Sequence, residues 1–259
     1  MKQEKLSFKG LKTPQIMGIL NITPDSFSDG GKYNSYEKAL ERALEIEAEG
    51  ADFLDIGAQS TRPESTVISD DEELSRLFPV LDDIRQKIKI PVSIDTFYTS
   101  VAKKVLKSGV DIINDVSSSQ NDEMLRIVKY YDAAIIIMHK GEKIESILPY
   151  FEKKLNQALK LGISKDKICF DPGIGFGKKQ EDNIRILKNL KKYRIPDVSL
   201  LLGLSKKSFL PVCCNDADCI REAATIGANI AAVLNGVNIL RVHNVKQNID
   251  AINTFVSLY

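Results

Sequence analysis

The sequence predicts an α/β protein of a single domain, a (β/α)8 TIM barrel that spans residues 1–259. Eight short runs rich in isoleucine, valine and leucine alternate with eight longer amphipathic stretches, which is the order of strands and helices in such a barrel. Eight units in about 250 residues match the usual size of a closed barrel. An open doubly wound sheet is the alternative that the same alternation allows.

The predicted strands have continuous apolar cores, such as Ala134–Met138, which is typical of a parallel sheet buried on both faces. They are Gln15–Ile22, Asp52–Gly57, Val92–Asp95, Asp111–Asp115, Ala133–His139, Lys167–Asp171, Ser199–Leu204 and Asn238–His243. The predicted helices are Ser35–Glu49, Asp71–Ile88, Thr99–Lys107, Asp122–Tyr131, Ile144–Leu161, Glu181–Tyr193, Asp216–Leu234 and Asn244–Leu258. Three glycines after apolar periodic stretches are predicted C-caps: Gly50, Gly109 and Gly162.

The balance of charge argues against a nucleic-acid or membrane partner. The chain has 36 Lys and Arg residues against 35 Asp and Glu residues, so any anionic ligand must be held by a few placed groups. The charged N-terminal segment has no apolar stretch of the kind found in signal peptides, and no apolar run approaches about 18 residues. We therefore expect a cytoplasmic protein.

The four cysteines favour free thiols in a reducing compartment. Cys213, Cys214 and Cys219 lack the two-plus-two spacing of a zinc site, and the chain has only two histidines to complete one. A disulfide scaffold would be shorter and richer in cysteine. A metal–thiolate site is the less favoured alternative.

Two predicted connections are unusually long and polar, Thr23–Tyr33 after the first strand and Gln59–Ser69 after the second. Connections in compact domains are usually short, so a long pair on one barrel face predicts lids over a site. Surface loops without a function are the alternative.

Every predicted strand ends in a polar or ionisable residue, and the carboxyl ends of barrel strands meet at one mouth, where active sites lie. These residues are Asn21, Asp55, Asp95, Asn114, Asp115, His139, Asp171, Ser205, Lys206, Lys207, Arg241 and His243. One such residue is uninformative because Asp and Asn are common in turns. Eight polar strand ends together predict a binding site.

Three of these ends supply two carboxylates and an amide, from Asp95, Asn114 and Asp171. This set suits a flat heterocycle with a guanine-like edge, because a carboxylate accepts two adjacent N–H donors. The alternative is that these inward polar groups bond to one another or to loop backbone.

Two further ends predict anion binding. Ser205–Ser208, with Lys207, follows the seventh strand and is expected to open a helix whose free N–H groups attract an anion. Arg241 and His243 are two residues apart, so we expect their side chains on one face of the eighth strand. A solvated basic turn and a structural strand-end histidine are the alternatives.

Common catalytic motifs are missing from the sequence. Gly173–Lys178 (GIGFGK) lacks the spacing of a P-loop, and the chain contains no GxSxG or HExxH motif. Covalent hydrolysis and zinc proteolysis therefore have no support.

Seven motifs in order resemble those of the dihydropteroate synthase family and extend over nearly the whole chain. They are Met17–Gly31 (MGILNITPDSFSDGG), Asp55–Pro63 (DIGAQSTRP), Ser93–Thr96 (SIDT), Ile112–Ser118 (IINDVSS), Asp171–Lys178 (DPGIGFGK), Gly203–Phe209 (GLSKKSF) and Leu240–Val245 (LRVHNV). The chain departs from the family pattern at Gly57–Thr61 (GAQST), at Lys206, at Asn244 and in Met138–Ile147.

The resemblance implies a transferase of folate biosynthesis that joins 7,8-dihydropterin-CH2 pyrophosphate to p-aminobenzoate with Mg2+, usually as a homodimer. It implies that the pterin is bound by Asp95, Asn114, Asp171, Lys207 and Phe176. It implies that the pyrophosphate is bound by Asn21, Arg241 and His243, with Asn21 near Mg2+. It implies that p-aminobenzoate is bound by Phe27, Thr61, Arg62, Pro63 and Ser208. The catalytic residues that it implies are Asp95, Lys207, Thr61 and Arg62.

Three other functions remain as alternatives. A pterin-binding methyltransferase acting on a reduced folate has a similar barrel but is expected to lack the paired long loops. A catalytically silent pterin-binding paralogue would fit the departures from the family pattern. A phosphate-sugar barrel enzyme would not need the pocket of Asp95, Asn114 and Asp171.

Overall fold

The computed structural model describes residues 6–8, 14–22, 31–59, 66–118, 122–214, 216 and 218–259, and within the first helix it describes side chains from residue 36 onward. Its strands are β1 (Gln15–Asn21), β2 (Phe53–Gly57), β3 (Val92–Thr96), β4 (Ile112–Asp115), β5 (Ala134–Met138), β6 (Ile168–Asp171), β7 (Ser199–Leu202) and β8 (Ile239–Val242). All pair in parallel and in chain order, and β1 bonds to both β2 and β8. The prediction of a closed (β/α)8 barrel is confirmed, and the open sheet is wrong.

The helices surround this barrel and follow the predicted order, with differences at their ends. They are α1 (Gly31–Ala48), α2 (Asp70–Lys87), α3 (Thr99–Lys107), α4 (Glu123–Tyr131), α5 (Ile147–Lys160), α6 (Gln180–Lys188), α7 (Leu210–Cys214), α8 (Arg221–Leu234) and α9 (Val245–Leu258). The helix predicted from Ser35 begins at Gly31, within the predicted loop, and the one predicted from Asp216 begins at Arg221. Short 3-10 turns, Ile144–Ser146 and Leu190–Tyr193, occupy ends that were predicted as α-helix.

Local chemistry explains several of these ends. The hydroxyl of Ser69 caps α2 by accepting a hydrogen bond from Glu72 N at 3.2 Å, and four acidic residues in the first turn favour the positive end of the helix dipole. The predicted C-caps are confirmed, because their backbones have the positive φ that only glycine adopts freely: Gly50, Gly109 and Gly162.

Side chains alternate between the two faces of the barrel wall. One cluster lies inside the barrel and includes Met17, Phe53, Ile112, Cys169 and Ile239. The next residues along the strands join the larger core between the barrel and the helices, among them Ile16, Leu54, Ile113, Phe170 and Leu240. Because the side-chain period of a strand is two residues, the polar residues two positions after the inner cluster also face inward: Asp55, Asn114, Asp171 and Arg241.

The amino-terminal end of the barrel is closed by residues 6–8. The Phe8 ring lies 6.2 Å from the Phe53 ring in an edge-on arrangement, and the Phe8 carbonyl accepts a hydrogen bond from Ser199 Oγ at 3.2 Å. All four cysteines are free, as predicted, with Cys169 buried inside the barrel. Within the described part of the chain, each helix is too short or too polar to cross a membrane.

Candidate active site

Asp55 is the centre of a charged network at the carboxyl end of the barrel. Its Oδ2 accepts a hydrogen bond from Arg241 Nε at 2.7 Å and another from Asn114 Nδ2 at 3.1 Å. Arg241 Nη2 donates to Asp95 Oδ2 at 2.9 Å. Residues of β2, β3, β4 and β8 therefore form one continuous network. Sequence reasoning noted Asp55 only as a strand end and gave it no binding role.

Three buried polar atoms around this network lack a hydrogen-bond partner among the described residues: Asp55 Oδ1, Asn114 Oδ1 and Ser93 Oγ. Ser93 lies two residues before Asp95 in β3 and so shares its face. A buried polar group without a partner costs about 1–3 kcal/mol, so such groups are rare unless a ligand completes them. The open acceptors indicate a ligand with several N–H donors.

The charges of the network are shifted by burial. Burial raises the pKa of Asp95 to about 7, an effect that Arg241 opposes and that the carboxyls of Asp55 and Glu73 increase. Burial acts to lower the pKa of Arg241, but Asp55 and Asp95 outweigh it, so the guanidinium stays charged. Near neutral pH the network therefore holds one fixed cation beside a carboxyl that is partly protonated.

Asp171, Lys207 and Phe176 form the other side of the mouth. Asp171 Oδ1 accepts a hydrogen bond from Gly173 N at 2.7 Å. Lys207 Nζ lies 4.4 Å from the centre of the Phe176 ring, a cation–π contact. Burial lowers the pKa of Lys207, and the charge of Asp171 opposes that shift. The cation and the carboxylate are therefore close enough to stabilise each other.

Lys178 holds the glycine-rich loop behind Asp171. Its Nζ donates to the carbonyls of Gly173, His139 and Phe176 at 2.9, 3.2 and 3.3 Å. Burial lowers the pKa of this amine to about 8. From the sequence, this loop was compared with phosphate-binding motifs and its Phe176 was assigned to the pterin by the family resemblance, but no role was predicted for Lys178. The loop instead fixes the backbone that orients Asp171.

Asn21 and His243 lie at neighbouring strand ends. Asn21 ends β1, and a Cβ on Gly57 would lie 3.6 Å from its Oδ1 and 3.8 Å from Asp95 Cβ, so the glycine leaves space between these two side chains. His243 lies just beyond β8, which ends at Val242, so strand alternation does not place its side chain beside Arg241. Its Nδ1 is 2.9 Å from Ser205 Oγ.

The prediction that Ser205–Ser208 opens a helix is wrong. This segment forms turns, α7 begins only at Leu210, and Ser208 is exposed. Lys206 has a φ of +59°, a left-handed conformation that cannot continue a helix, and its N–H donates to Thr225 Oγ1 at 3.2 Å. Lys207 therefore reaches the mouth from a turn rather than from a helix N-terminus.

Two of the polar strand ends do not face the mouth. The pKa of Asp115 is influenced by Lys154 of α5, and the His139 ring packs edge-on against Tyr150 of α5 at 5.5 Å. Both contacts lie on the outer, helix-covered side of the wall. Four other predicted site residues lie outside the described residues, and their roles stay predictions: Phe27, Thr61, Arg62 and Pro63.

Glu73 places a further buried carboxyl behind Asp95. It lies in the first turn of α2, is 1% exposed, and neither of its oxygens makes a hydrogen bond of ordinary geometry to a described residue. Burial raises the pKa of Glu73 to about 7, although Thr96 opposes the shift. The folded chain thus binds this proton more tightly than the unfolded chain. Titration of the Glu73 carboxyl therefore lowers the free energy of unfolding as the pH rises from about 4.5 to 7.

We expect Glu73→Gln to raise the free energy of unfolding at pH 8 by up to roughly 3 kcal/mol and to change it little at pH 4. Urea unfolding at the two pH values measures the difference. Glu41→Gln, at an exposed position of α1, is the matched control and should show no such pH dependence. Equal destabilisation by Glu73→Gln at both pH values would contradict the assignment.

Comparison with known proteins identifies the family. The family model described as pterin binding enzyme matches residues 17–243. A dihydropteroate synthase of Bacillus subtilis is 37% identical over 95% of this chain and 88% of its own length. A mitochondrial folate synthesis bifunctional protein of Pisum sativum is 40% identical over 92% of this chain, which spans only 52% of that longer protein.

The fold comparison agrees with the sequence comparison. The crystal structure of a dihydropteroate synthase from Clostridium difficile, solved in the presence of pteroic acid, superposes with a TM-score of 0.90 at 39% identity. The match covers 96% of this chain and 97% of that one. The chain therefore belongs to the dihydropteroate synthase family of pterin binding enzymes.

Proposed function

We propose that this chain is a transferase of folate biosynthesis that joins 7,8-dihydropterin-CH2 pyrophosphate to p-aminobenzoate and releases 7,8-dihydropteroate and pyrophosphate. The observation that carries the proposal is the ring of inward carboxyl and amide groups whose acceptors Asp55 Oδ1 and Asn114 Oδ1 lack partners among the described residues. A pterin presents N–H donors along one edge. Pteroic acid in the related C. difficile structure supports the same ligand class.

In this proposal the pterin lies between the two sides of the mouth. Asp171 and Asn114 accept hydrogen bonds from its N–H groups, and Lys207 donates to a ring oxygen or nitrogen. The Phe176 side chain packs beside the pterin ring, because Lys207 already covers one face of the Phe176 ring. Burial of these groups strengthens each hydrogen bond relative to water.

The pyrophosphate would lie toward Arg241, His243 and Asn21. Arg241 uses Nε and Nη2 on two carboxylates, which leaves Nη1 for the leaving group. The described residues contain no group of three His, Cys, Asp or Glu side chains that could hold a metal. One amide oxygen, Asn21 Oδ1, fits Mg2+ only when phosphate oxygens and water complete its ligands, the usual arrangement for this ion. When bound, Mg2+ would neutralise charge on the leaving group.

The reaction that suits these groups is a dissociative substitution. The bond between the methylene carbon and the pyrophosphate oxygen breaks with its electron pair leaving on the oxygen, and the pterin ring delocalises the positive charge. Asp95 in its ionised form stabilises that cation, while Arg241 and His243 stabilise the departing anion. The nitrogen of the neutral arylamine then forms a bond to the methylene carbon and loses one of its two protons to water or to the departing pyrophosphate. Phe27, Thr61 and Arg62 would close over the site, and Pro63 and Ser208 would contact p-aminobenzoate.

We also propose a homodimer in a reducing compartment such as the cytoplasm. The free thiols, including the exposed Cys213 and Cys214, support the compartment. The dimer is carried over from the family resemblance. Sedimentation analysis of the purified chain tests it.

The activity is tested by measuring pyrophosphate release from the pterin substrate with and without p-aminobenzoate. We expect release that requires both substrates and yields 7,8-dihydropteroate. A chain that binds the pterin without release would be a silent paralogue. Methyl transfer from a reduced folate, or turnover of a sugar phosphate, would contradict the proposal.

We expect Asp171→Asn to weaken pterin binding by roughly 30- to 100-fold, because the amide cannot accept two hydrogen bonds while it keeps the bond from Gly173 N. Calorimetric titration with the pterin measures the change. Asp197→Asn, at a position whose side chain is 86% exposed, should bind the pterin normally. Unchanged affinity of Asp171→Asn would remove Asp171 from the pterin site.

A further inference from the structure

A cavity of about 450 Å3 lies on the outer side of β5, outside the barrel. Ser118 after β4, His139 after β5 and Tyr150 of α5 line it. Ala134 and Ile136 of β5 face the barrel interior. His139 follows the end of β5, and its ring contacts the Tyr150 ring of α5 edge-on at 5.5 Å, on the outer, helix-covered side of the wall. The cavity is therefore separate from the pterin site.

The cavity is lined by a buried nitrogen that lacks a partner among the described residues. His139 is 4% exposed, and its Nδ1 makes no hydrogen bond of ordinary geometry to a described residue. The Tyr150 hydroxyl is buried too, and among the described residues it makes no hydrogen bond of ordinary geometry, although a weak hydrogen bond with Ser118 opposes the rise that burial causes in its pKa. Buried polar atoms are normally satisfied, so these two indicate a ligand with matching groups.

The hydrogen bonds of Ser146 determine which nitrogen of His139 carries the proton. Ser146 Oγ donates its only proton to the Lys143 carbonyl at 2.6 Å and lies 2.9 Å from His139 Nε2. Nε2 must therefore donate to Ser146, which leaves Nδ1 as a free acceptor. Burial, with the nearby charge of Lys178, lowers the pKa of His139 to about 4. The ring is thus neutral at pH 7.

The rim of the cavity is positively charged. Among the described residues that line it, three are lysines, Lys140, Lys143 and Lys153, and one is acidic, Glu142. The lysines of this rim would attract an anion. The acceptor nitrogen, His139 Nδ1, requires that the same ligand also carry a donor hydrogen. Few biological anions combine both features, and a phosphate that retains an acidic O–H is one of them.

We propose that this cavity binds a phosphate group in a form that keeps one O–H, which donates to His139 Nδ1 while the Tyr150 hydroxyl and the lysines bind the other oxygens. The cavity is larger than a phosphate ion, so the ligand is either free phosphate or the phosphate of a small monoester. Pockets for small organic ligands begin at about 300 Å3, which agrees with the monoester.

The two histidines of the chain supply a local test, because His139 reports on this cavity and His243 on the barrel mouth. Long-range 1H–15N NMR of the whole chain follows both rings, with His243→Asn used for assignment. Titration with inorganic phosphate should shift His139 Nδ1. Sulfate has the same shape but no proton at neutral pH, and it should bind at least about tenfold more weakly.

A second titration separates the two sources of phosphate. Glycerol phosphate retains its O–H below its second pKa near 6, so it should shift His139 at pH 5.5 and lose affinity at pH 8. Binding of this monoester more tightly than inorganic phosphate at pH 5.5 would identify the organic ligand. The reverse order would identify free phosphate.

Two variants test the residues that contact the ligand. Lys140→Gln combined with Lys143→Gln should lower phosphate affinity at His139 by about tenfold, and Tyr150→Phe should lower it severalfold. Lys160→Gln, at the exposed end of α5, should have no effect. The proposal is overturned if phosphate moves only the His243 signals, or if sulfate and phosphate shift His139 with equal affinity.

Discussion

Arg241→Gln is expected to lower the free energy of unfolding by about 3–5 kcal/mol at pH 8, the cost of leaving buried carboxylates without their partner. The guanidinium donates at 2.7 Å to Asp55, which is fully buried, and at 2.9 Å to Asp95. Glutamine retains a donor but no charge. Turnover should fall by about a hundredfold or more, because the same residue is proposed to stabilise the leaving group.

The effect of Arg241→Gln should depend on pH in a defined direction. Arg241 lowers the pKa of Asp95, so its loss raises that pKa above the value of about 7 found in the intact network. A carboxyl whose pKa is raised by folding binds more protons in the folded state, and stability is then lost as the pH rises. The deficit of the variant should therefore shrink as the pH falls from 8 to 5. Urea unfolding at several pH values measures it.

A surface ion pair supplies the control for this variant. Arg126 pairs with Asp122 at 2.9 Å on the outside of α4, and its side chain is 64% exposed. Arg126→Gln should cost less than about 1 kcal/mol at any pH, since exposed pairs contribute little. Asp95→Asn added to Arg241→Gln should recover part of the loss at pH 8. If Arg241→Gln and Arg126→Gln were equally mild, the buried network would have no energetic role.

The apolar pattern of the strands predicts the barrel, and the two-residue period of side chains along each strand predicts that the polar residues at the strand ends face inward. A strand exposes alternate residues to opposite faces, so the positions of Phe53 and Ile112 inside the barrel determine that Asp55 and Asn114 also face inward. The buried state of Asn114 and Asp171 follows from this pattern. This prediction of burial requires no knowledge of which strands are neighbours in the sheet.

The partners of these groups require the folded structure. Arg241 and Asp55 are 186 positions apart, and they meet only because the closed barrel pairs β1 with both β2 and β8. For the inward polar residues, the sequence left two possibilities: they bind a ligand, or they form hydrogen bonds to one another. The structure contains groups of both kinds. Asn114 Nδ2 is used by Asp55, whereas Asn114 Oδ1 has no partner in the described part of the chain.

Backbone conformation explains the prediction that failed near Lys207. The residues Ser205–Ser208 have no proline or glycine to signal a turn, and the left-handed Lys206 is selected by a tertiary bond to Thr225 of α8. Local propensity carries no information about such a contact. The same limit applies to Lys178, whose three carbonyl partners come from two separate loops.

Gly173→Ala is expected to destabilise the fold by roughly 2–4 kcal/mol and to weaken pterin binding as well. Gly173 has a φ of +67°, and a Cβ there would lie 2.0 Å from the His139 carbonyl oxygen. That carbonyl cannot move freely, because His139 N donates to the Asp171 carbonyl at 2.8 Å and Lys178 bonds to the oxygen itself. Relief of the clash must displace the backbone that orients Asp171.

Alanine variants of two other glycines distinguish the two causes of the lost stability in Gly173→Ala, which are the strain of a positive φ and the clash with the His139 carbonyl. Gly175 has a φ of +80°, but its added Cβ would meet Lys207 Cδ and Nζ at 3.3 Å, which are atoms of a flexible side chain. Gly227 lies within α8 with open space around its Cβ, so Gly227→Ala should stabilise the chain by about 0.5–1 kcal/mol. Urea unfolding of the three alanine variants, with pterin titration of each, gives the comparison.

The difference between the Gly173 and Gly175 variants isolates the backbone clash, because both share the strain of a positive φ. Gly173→Ala should lose more stability than Gly175→Ala, whereas Gly175→Ala should mainly weaken pterin binding by displacing Lys207. If the two variants unfolded at the same urea concentration, the His139 carbonyl would not be fixed by its hydrogen bonds. The glycine-rich loop would then not be the element that positions Asp171, and the carboxylate would owe its direction to strand β6 alone.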